Sequence, residues 1–267
     1  MQSDLIYDVG FHHGEDTGFY LTKGFKVVAI EAHPGLYQKG KEKFSREIDQ
    51  GRLTLLNLAV AETSGPVSFF ESDNDVWGSI RRDAAERNEH LGAGFREITV
   101  EGKQFGEILR QFGVPYYLKV DIEGADLLCL KALAEFDDRP RYVSIEAEVD
   151  VLSGIRHEIA TLSDLGYAKF KIVRQGHVPL QSCPFPAREG QYVEYKFPYG
   201  SSGMFGEEAP GEWLSPQRAI ETYRKIVRVQ RLFGDKGWVR RLPLGNKVTN
   251  FLQPDVSWYD THASLAW

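Results

Sequence analysis

Cysteine is scarce in this chain: Cys129 and Cys183 are the two present in 267 residues. Nothing near either has metal-ligand spacing, and a disulfide scaffold does not suit a chain of this size. Cys129 sits in the apolar run Leu127-Leu128-Cys129-Leu130 and reads as a small buried hydrophobe. An excess of positive charge is missing too. The formal net charge of −6 argues against nucleic acid as the main partner, since such binders carry a basic face. No apolar stretch approaches the roughly twenty residues of a membrane span. Met1 to Asp4 are polar and run straight into a strand pattern, so no signal peptide fits there. The expectation is a soluble cytoplasmic protein. Repeats and low-complexity tracts are absent.

What is present is enough apolar material, 42% of residues, for a sizeable core. The length suits one large α/β domain with embellishments. Strand-like segments at Leu5–Val9, Lys26–Ile30, Leu53–Leu58, Tyr116–Val120, Tyr142–Ile145 and Ala168–Val173 alternate with helical ones. The helical patterns cover Glu15–Lys23, Gly35–Asp49, Phe105–Phe112, Ala125–Leu133 and Ile155–Leu165. Such alternation implies βαβ units and a parallel sheet. Val67–Phe70 and Glu97–Val100 look like extra strands, with a polar loop and short helix between them that contains Trp77.

After Gln175 the composition shifts to Pro, Gly and aromatics, followed by a basic helix from Pro216 to Phe233. The expected division is a cofactor-binding domain at 1–175 and a C-terminal extension at 176–267. A tail this aromatic is expected to fold back onto the sheet and to serve as a substrate lid.

The first strand ends in Asp8-Val9-Gly10-Phe11-His12-His13-Gly14. A glycine turn there lets a ligand approach the backbone at a helix N-terminus. The third glycine of a dinucleotide fingerprint is missing. Asp8 would repel a pyrophosphate, whereas it suits a cofactor carrying an ammonium and a sulfonium, as S-adenosylmethionine does. Glu31 ends the second strand, placed to accept hydrogen bonds from ribose hydroxyls. Asn57-Leu58-Ala59 closes the third strand at the edge expected to meet adenine; core packing explains Leu58 and Ala59 equally well.

Lys119-Val120-Asp121-Ile122-Glu123-Gly124-Ala125 ends the fourth parallel strand at the carboxyl edge, where open α/β sheets bind ligands. Lys119 shares a strand face with Asp121, and a buried pair of this kind needs a partner. Glu146 and Glu148 follow on the next strand. These carboxylates have three readings: holding a cofactor ammonium and orienting an acceptor hydroxyl, binding a divalent cation, or capping the next helix in solvent. The first is favoured for Asp121, and no metal site is assigned.

Asp8-x-Gly10-x-x-x-Gly14, Glu31 with Pro34, Asn57-x-Ala59 and Lys119-x-Asp121-x-Glu123-Gly124-Ala125 resemble the FkbM-type methyltransferases over residues 5 to 175. The resemblance implies a class I, Rossmann-like fold with a mostly parallel seven-stranded sheet and one antiparallel strand. It implies O-methylation of a hydroxyl on a sugar, glycan or secondary metabolite. Asp8, Gly10, Gly14, Glu31 and Asp121 would be cofactor-side residues, with Asn57 and Ala59 beside them. His12 or His13 departs from the Asn of many relatives, and Ser202-Gly203 and Trp258-Tyr259-Asp260-x-His262 mark a distinct subgroup.

Methyl transfer is an in-line displacement, for which the enzyme must align the acceptor oxygen and take its proton. His12, His13, His262 and Asp121 are the candidate bases. Trp77, Trp258 and Tyr259 are candidates for stacking on an acceptor, and packing is the competing explanation. Two other readings remain: a non-catalytic module that binds a partner through the basic helix Gln217–Arg231, and an NAD-linked sugar dehydrogenase or epimerase.

Overall fold

The computed structural model describes residues 1–72, 79–80, 95–122, 125–147, 151–234, 237–242 and 257–266. Trp77, Glu123, Gly124 and Glu148 lie outside the described residues.

The chain begins with β1 (Gln2–Val9), α1 (Glu15–Thr22), β2 (Lys26–Glu31), α2 (Pro34–Lys43), α3 (Ser45–Asp49) and β3 (Leu53–Asn57). There follow β4 (Ala59–Val60), β5 (Gly65–Ser72), β6 (Phe95–Lys103), α4 (Phe105–Phe112) and β7 (Pro115–Val120). Next come α5 (Asp126–Leu133), β8 (Tyr142–Glu146), α6 (Leu152–Asp164), β9 (Tyr167–Arg174), α7 (Pro216–Phe233) and β10 (Tyr259–Leu265).

One sheet has seven strands in the spatial order β3-β2-β1-β7-β8-β10-β9. Neighbours from β3 through to β8 are parallel, and β10 runs antiparallel to both β8 and β9. This is the Rossmann-like, mostly parallel sheet expected from the alternating pattern. The central strands are buried on both faces, which is why β1 and β7 read as continuous apolar runs.

The antiparallel strand corrects the expected boundary at residue 175. The first 175 residues leave a gap between β8 and β9, and Tyr259–Leu265 fills it. That segment is therefore part of the sheet, not a lid hinged over it. Its pairing with β8 and β9 supplies the backbone hydrogen bonds that an open gap would leave unmade.

One face of the sheet packs against α4, α5, α6 and α7 around Leu118, Val143, Leu130 and Tyr223. The basic helix α7 buries Ala219, Tyr223 and Val227 there, and the Tyr223 hydroxyl bonds Thr261 Oγ1 at 2.8 Å. The other face packs against α1 and the segment around Phe197, Met204 and Phe205. Phe205 stacks on Tyr117, with centroids 4.4 Å apart and planes at 6°. Burying such a ring is worth roughly 1.5–3 kcal/mol. Lys23 donates to both Glu208 carboxylate oxygens at 2.9 and 3.0 Å, fully buried.

The helical pattern at 35–49 is two helices, not one. The break falls at Phe44, which is buried and packs edge-on against Phe11 at 5.8 Å. A second sheet, β4-β6-β5, sits beside the carboxyl edge and supplies a wall of the cleft described next. Among the described residues no helix is long and apolar enough to cross a membrane.

Candidate functional site

β1 lies between β2 and β7, so successive crossovers leave it in opposite directions. Such a switch point opens a crevice at the carboxyl ends of the strands. A cleft enclosing about 1040 Å³, part of it open solvent, lies there. Its polar lining includes His12, Asp16, Glu31, His33, Lys119 and Asp121, and its apolar wall includes Leu36, Leu58, Ala59, Phe69 and Ile80.

The turn after β1 is set by backbone geometry. The Gly10 and Phe11 amides donate to Ile30 O at 3.1 and 2.9 Å, tying the turn to β2. Gly10 has φ 94°, and a Cβ there would stand 1.9 Å from Asp121 O. Only glycine lets the ends of β1 and β7 come this close. His12 also has a positive φ, 53°, a conformation in which Asn and His are over-represented among non-glycine residues.

Glu31 holds two loops at once. Its carboxylate accepts from His12 N and His33 N, both at 2.8 Å. Burial raises its pKa, while those amide bonds pull it back. His33 caps α2 through Nδ1, accepting from the Gly35 and Leu36 amides, and its Nε2 pairs with Glu71 of β5. The cleft floor is thereby joined to the second sheet.

Lys119 is the electrostatic centre. Its ammonium lies 3.2 Å from Asp8 Oδ1, 3.5 Å from Asp16 Oδ2 and 3.7 Å from Asp121 Oδ2, and it donates to Gly10 O at 2.9 Å. Its pKa is driven well above the usual range: burial lowers it, but Asp8, Asp121 and Asp16 outweigh that. Asp16 is pushed up to about 6 by burial and by Asp8, against the pull of Lys119. Asp16 Oδ1 accepts from Ser202 N at 2.8 Å, which fixes the segment at 199–203 over the cleft.

A smaller recess continues from this cleft and shares Asp121 and Gly200 with it. Glu146, Gln175, Ser202, Trp258 and Asp260 also line it. Among the described residues no group of His, Cys, Asp and Glu is arranged to hold a metal ion.

The residues singled out from sequence separate into two sets. Gly10, His12, Glu31, Ala59 and Asp121 line the cleft. The others do not, each for a local reason. Asp8 is fully buried and does not line the cleft; it accepts from Thr17 Oγ1 at 2.6 Å and pairs with Lys119. Gly14 does not line the cleft, and a Cβ there would meet the Phe11 and Phe44 rings at 2.6 Å. Asn57 donates to Glu31 O and Ala32 O at 2.9 and 3.2 Å and so braces the end of β2. His13 meets His12 edge-on, with centroids 4.0 Å apart, outside the cleft lining. His262 is in the middle of β10 and 2% exposed, which removes it from any lid and from the cleft. Tyr259 is packed in the core, whereas Trp258 is 45% exposed at the recess.

Asp16, His33, Phe69 and Asp260 were not legible as site residues. Asp16 had a signal in the acidic first turn of α1, and Asp260 had one in its period-two relation to His262. Neither signal says which sheet edge it reaches.

The chain matches the Methyltransferase FkbM domain family over residues 8–168. It is similar to human dynein axonemal heavy chain 9, at 24% identity over 51% of this chain and 3% of that one. The chain thus spans only 3% of the length of that curated relative. It is also similar to the solved structure of precorrin-6Y C5,15-methyltransferase from Geobacter metallireducens GS-15, at 10% identity and a TM-score of 0.40, over 100% of this chain and 82% of that one. A further likeness is to a SAM-dependent methyltransferase from Archaeoglobus fulgidus, at 10% identity and a TM-score of 0.40, over 97% of this chain and 85% of that one. With the family match covering more than half of its 267 residues, this protein belongs to the FkbM methyltransferase family.

Proposed function

We propose that the protein transfers a methyl group from S-adenosylmethionine to a hydroxyl of a sugar, glycan or secondary metabolite. The observation that carries this reading is the charge balance at Lys119. One ammonium stands among Asp8, Asp16 and Asp121, all within 3.7 Å. The cleft above it therefore favours a cationic ligand.

The first turn of α1 carries Glu15 and Asp16, at the helix end where a phosphate would otherwise be welcome. That argues against a dinucleotide and for a cofactor with no phosphate. When bound, S-adenosylmethionine supplies an electrophilic methyl on a sulfonium. In this reading Asp16 and Asp121 meet the cofactor's positive charge, and Glu31 accepts from ribose hydroxyls with the lone pairs its amide bonds leave free. Leu58, Ala59 and Phe69 form the apolar wall for the purine, and His12 faces the cofactor half of the cleft.

Calorimetry with S-adenosylhomocysteine tests the reading. The wild-type chain is expected to bind it, and Glu31→Ala to bind it at least about tenfold more weakly, the equivalent of one lost hydrogen-bonding carboxylate. A wild-type chain that is folded yet takes up no S-adenosylhomocysteine overturns the proposal. Binding without methylation of any hydroxyl acceptor would favour the non-catalytic module.

A further inference from the structure

In the recess beside the main cleft, two polar groups have no hydrogen-bond partner among the described residues. Asp260 is 6% exposed, and among the described residues its carboxyl has no hydrogen-bond partner. Gln175 is 8% exposed, and its Nε2 is buried without a partner among the described residues. One is an acceptor and the other a donor, and both line the same recess. A buried polar group left unsatisfied destabilises the fold, so a recess built this way is matched to a ligand that accepts from one and donates to the other.

Topology explains the placement. β10 runs against β8, so its start lies at the carboxyl edge where the parallel strands end. Asp260 is opposite Glu146, the last residue of β8. Trp258 and Tyr199 stand at the mouth, 45% and 73% exposed, with rings 5.9 Å apart at 88°. The two rings make an apolar corner that suits the C–H face of a pyranose. The described lining has three carboxyl groups, Asp121, Glu146 and Asp260, and no Lys or Arg. An acceptor bearing phosphate or carboxylate would be repelled.

We propose that this recess binds an uncharged sugar ring and that Asp260 is the catalytic base for the hydroxyl that is methylated. The proposal rests on the methyl-transfer reading above and names its acceptor. The hydroxyl oxygen bonds to the methyl carbon as the methyl–sulfur bond breaks. The electron pair of that bond stays on sulfur, and the hydroxyl proton passes to the Asp260 carboxylate. Gln175 and the Trp258–Tyr199 corner position the ring.

The groups around Asp260 make it a strong base. Burial raises its pKa well above the usual carboxylate range; Asp121 on β7, Asp16 on α1 and Glu158 on α6 add to the rise, and Lys119 opposes it. Glu146 faces it from β8, and its β9 neighbour is the apolar Val173. A base of raised proton affinity transfers protons more effectively once it is ionised.

The test uses the full chain loaded with S-adenosylhomocysteine and titrated calorimetrically with methyl glucoside, methyl mannoside, methyl rhamnoside and a hexose phosphate. Turnover is then measured with S-adenosylmethionine. At least one neutral glycoside is expected to bind and be methylated, and the hexose phosphate to do neither. Asp260→Asn is expected to melt no lower than the wild type, since the ionised carboxylate is disfavoured by burial, and to keep its S-adenosylhomocysteine affinity. Its kcat should fall by about 10²–10⁴, the range for a lost general base, and the rise of activity with pH should vanish. Trp258→Ala should weaken glycoside binding without touching S-adenosylhomocysteine affinity. Undiminished turnover in Asp260→Asn, or binding of S-adenosylhomocysteine with no neutral glycoside bound, overturns this inference alone. Failure of the wild type to bind S-adenosylhomocysteine overturns the methyl-transfer reading beneath it.

Discussion

Asp260 and His262 point to the same face of β10, two residues apart, and Asp260 alone lines the cleft region. Asp260 is opposite Glu146 at the sheet edge, while His262 is opposite Ser144 and Lys171, one step further into the sheet. That step takes His262 out of solvent. Both of its ring nitrogens are buried without a partner among the described residues.

His262 therefore stays neutral, its pKa lowered to about 3 by burial and by Lys171. In the unfolded chain it titrates near the ordinary 6.5. Below that pH the unfolded chain binds a proton that the folded chain refuses, so stability is lost as pH falls from 6.5 toward 3. His262→Leu should abolish this loss and leave turnover intact. Urea unfolding of both proteins near pH 7.5 and near pH 5 checks it, with the wild type falling relative to the variant by on the order of 2 kcal/mol. Equal pH responses would count against a buried neutral histidine.

Lys119→Met should be severely destabilising, because Asp8 and Asp16 are then buried with no counter-charge. The expected loss is about 3–5 kcal/mol. Adding Asp8→Asn should restore part of it, since the pair is removed together. A double-mutant cycle on unfolding free energies measures the coupling. Additive losses would mean that the two residues do not act as a pair.

Much of this site was visible along the chain. Gly10, Glu31 and Asp121 each end a strand with strong apolar periodicity, and such ends meet at one edge in any parallel sheet. What stayed hidden depends on register. Asp8 pairs with Lys119 only because β1 lies beside β7 with those two residues opposite each other. Asn57 and Gly14 have the composition of ligand contacts, yet their partners are two backbone carbonyls and two phenylalanine rings. β10 was the largest omission. Its alternation marks a strand, but nothing local tells an antiparallel strand which gap it fills, and the aromatic composition before it reads equally well as a lid.

The two glycines of the opening turn should respond differently to alanine. At Gly10 a Cβ would strike Asp121 O at 1.9 Å, so Gly10→Ala must push the ends of β1 and β7 apart. Both Gly10 and Asp121 line the cleft, and S-adenosylhomocysteine affinity should drop by at least about tenfold. Gly14 itself does not line the cleft, and the contact there is with the Phe11 and Phe44 rings. Gly14→Ala should lower the melting temperature and change affinity less. Calorimetry and melting on both variants decide it; equal affinity losses would put Gly14 back at the cofactor.

Lys23 and Glu208 pin the segment before α7 to α1. Both side chains are fully buried, and Glu208 also accepts from the Arg188 amide at 2.8 Å and the Glu189 amide at 3.2 Å. Lys23→Met leaves that carboxylate buried with only amide donors and should cost about 3–5 kcal/mol. The cost should appear first as local opening of the segment, not as loss of the sheet, because Phe205 and Glu208 are its anchors on Tyr117 and Lys23. Ser202 lies in the same segment and bonds Asp16, so acceptor binding at the recess should weaken along with it. Hydrogen exchange of the wild type and Lys23→Met reads this out. Faster exchange confined to residues 178–213 is the expected result, and uniform acceleration across β1 and β7 would show that the pair supports the whole core.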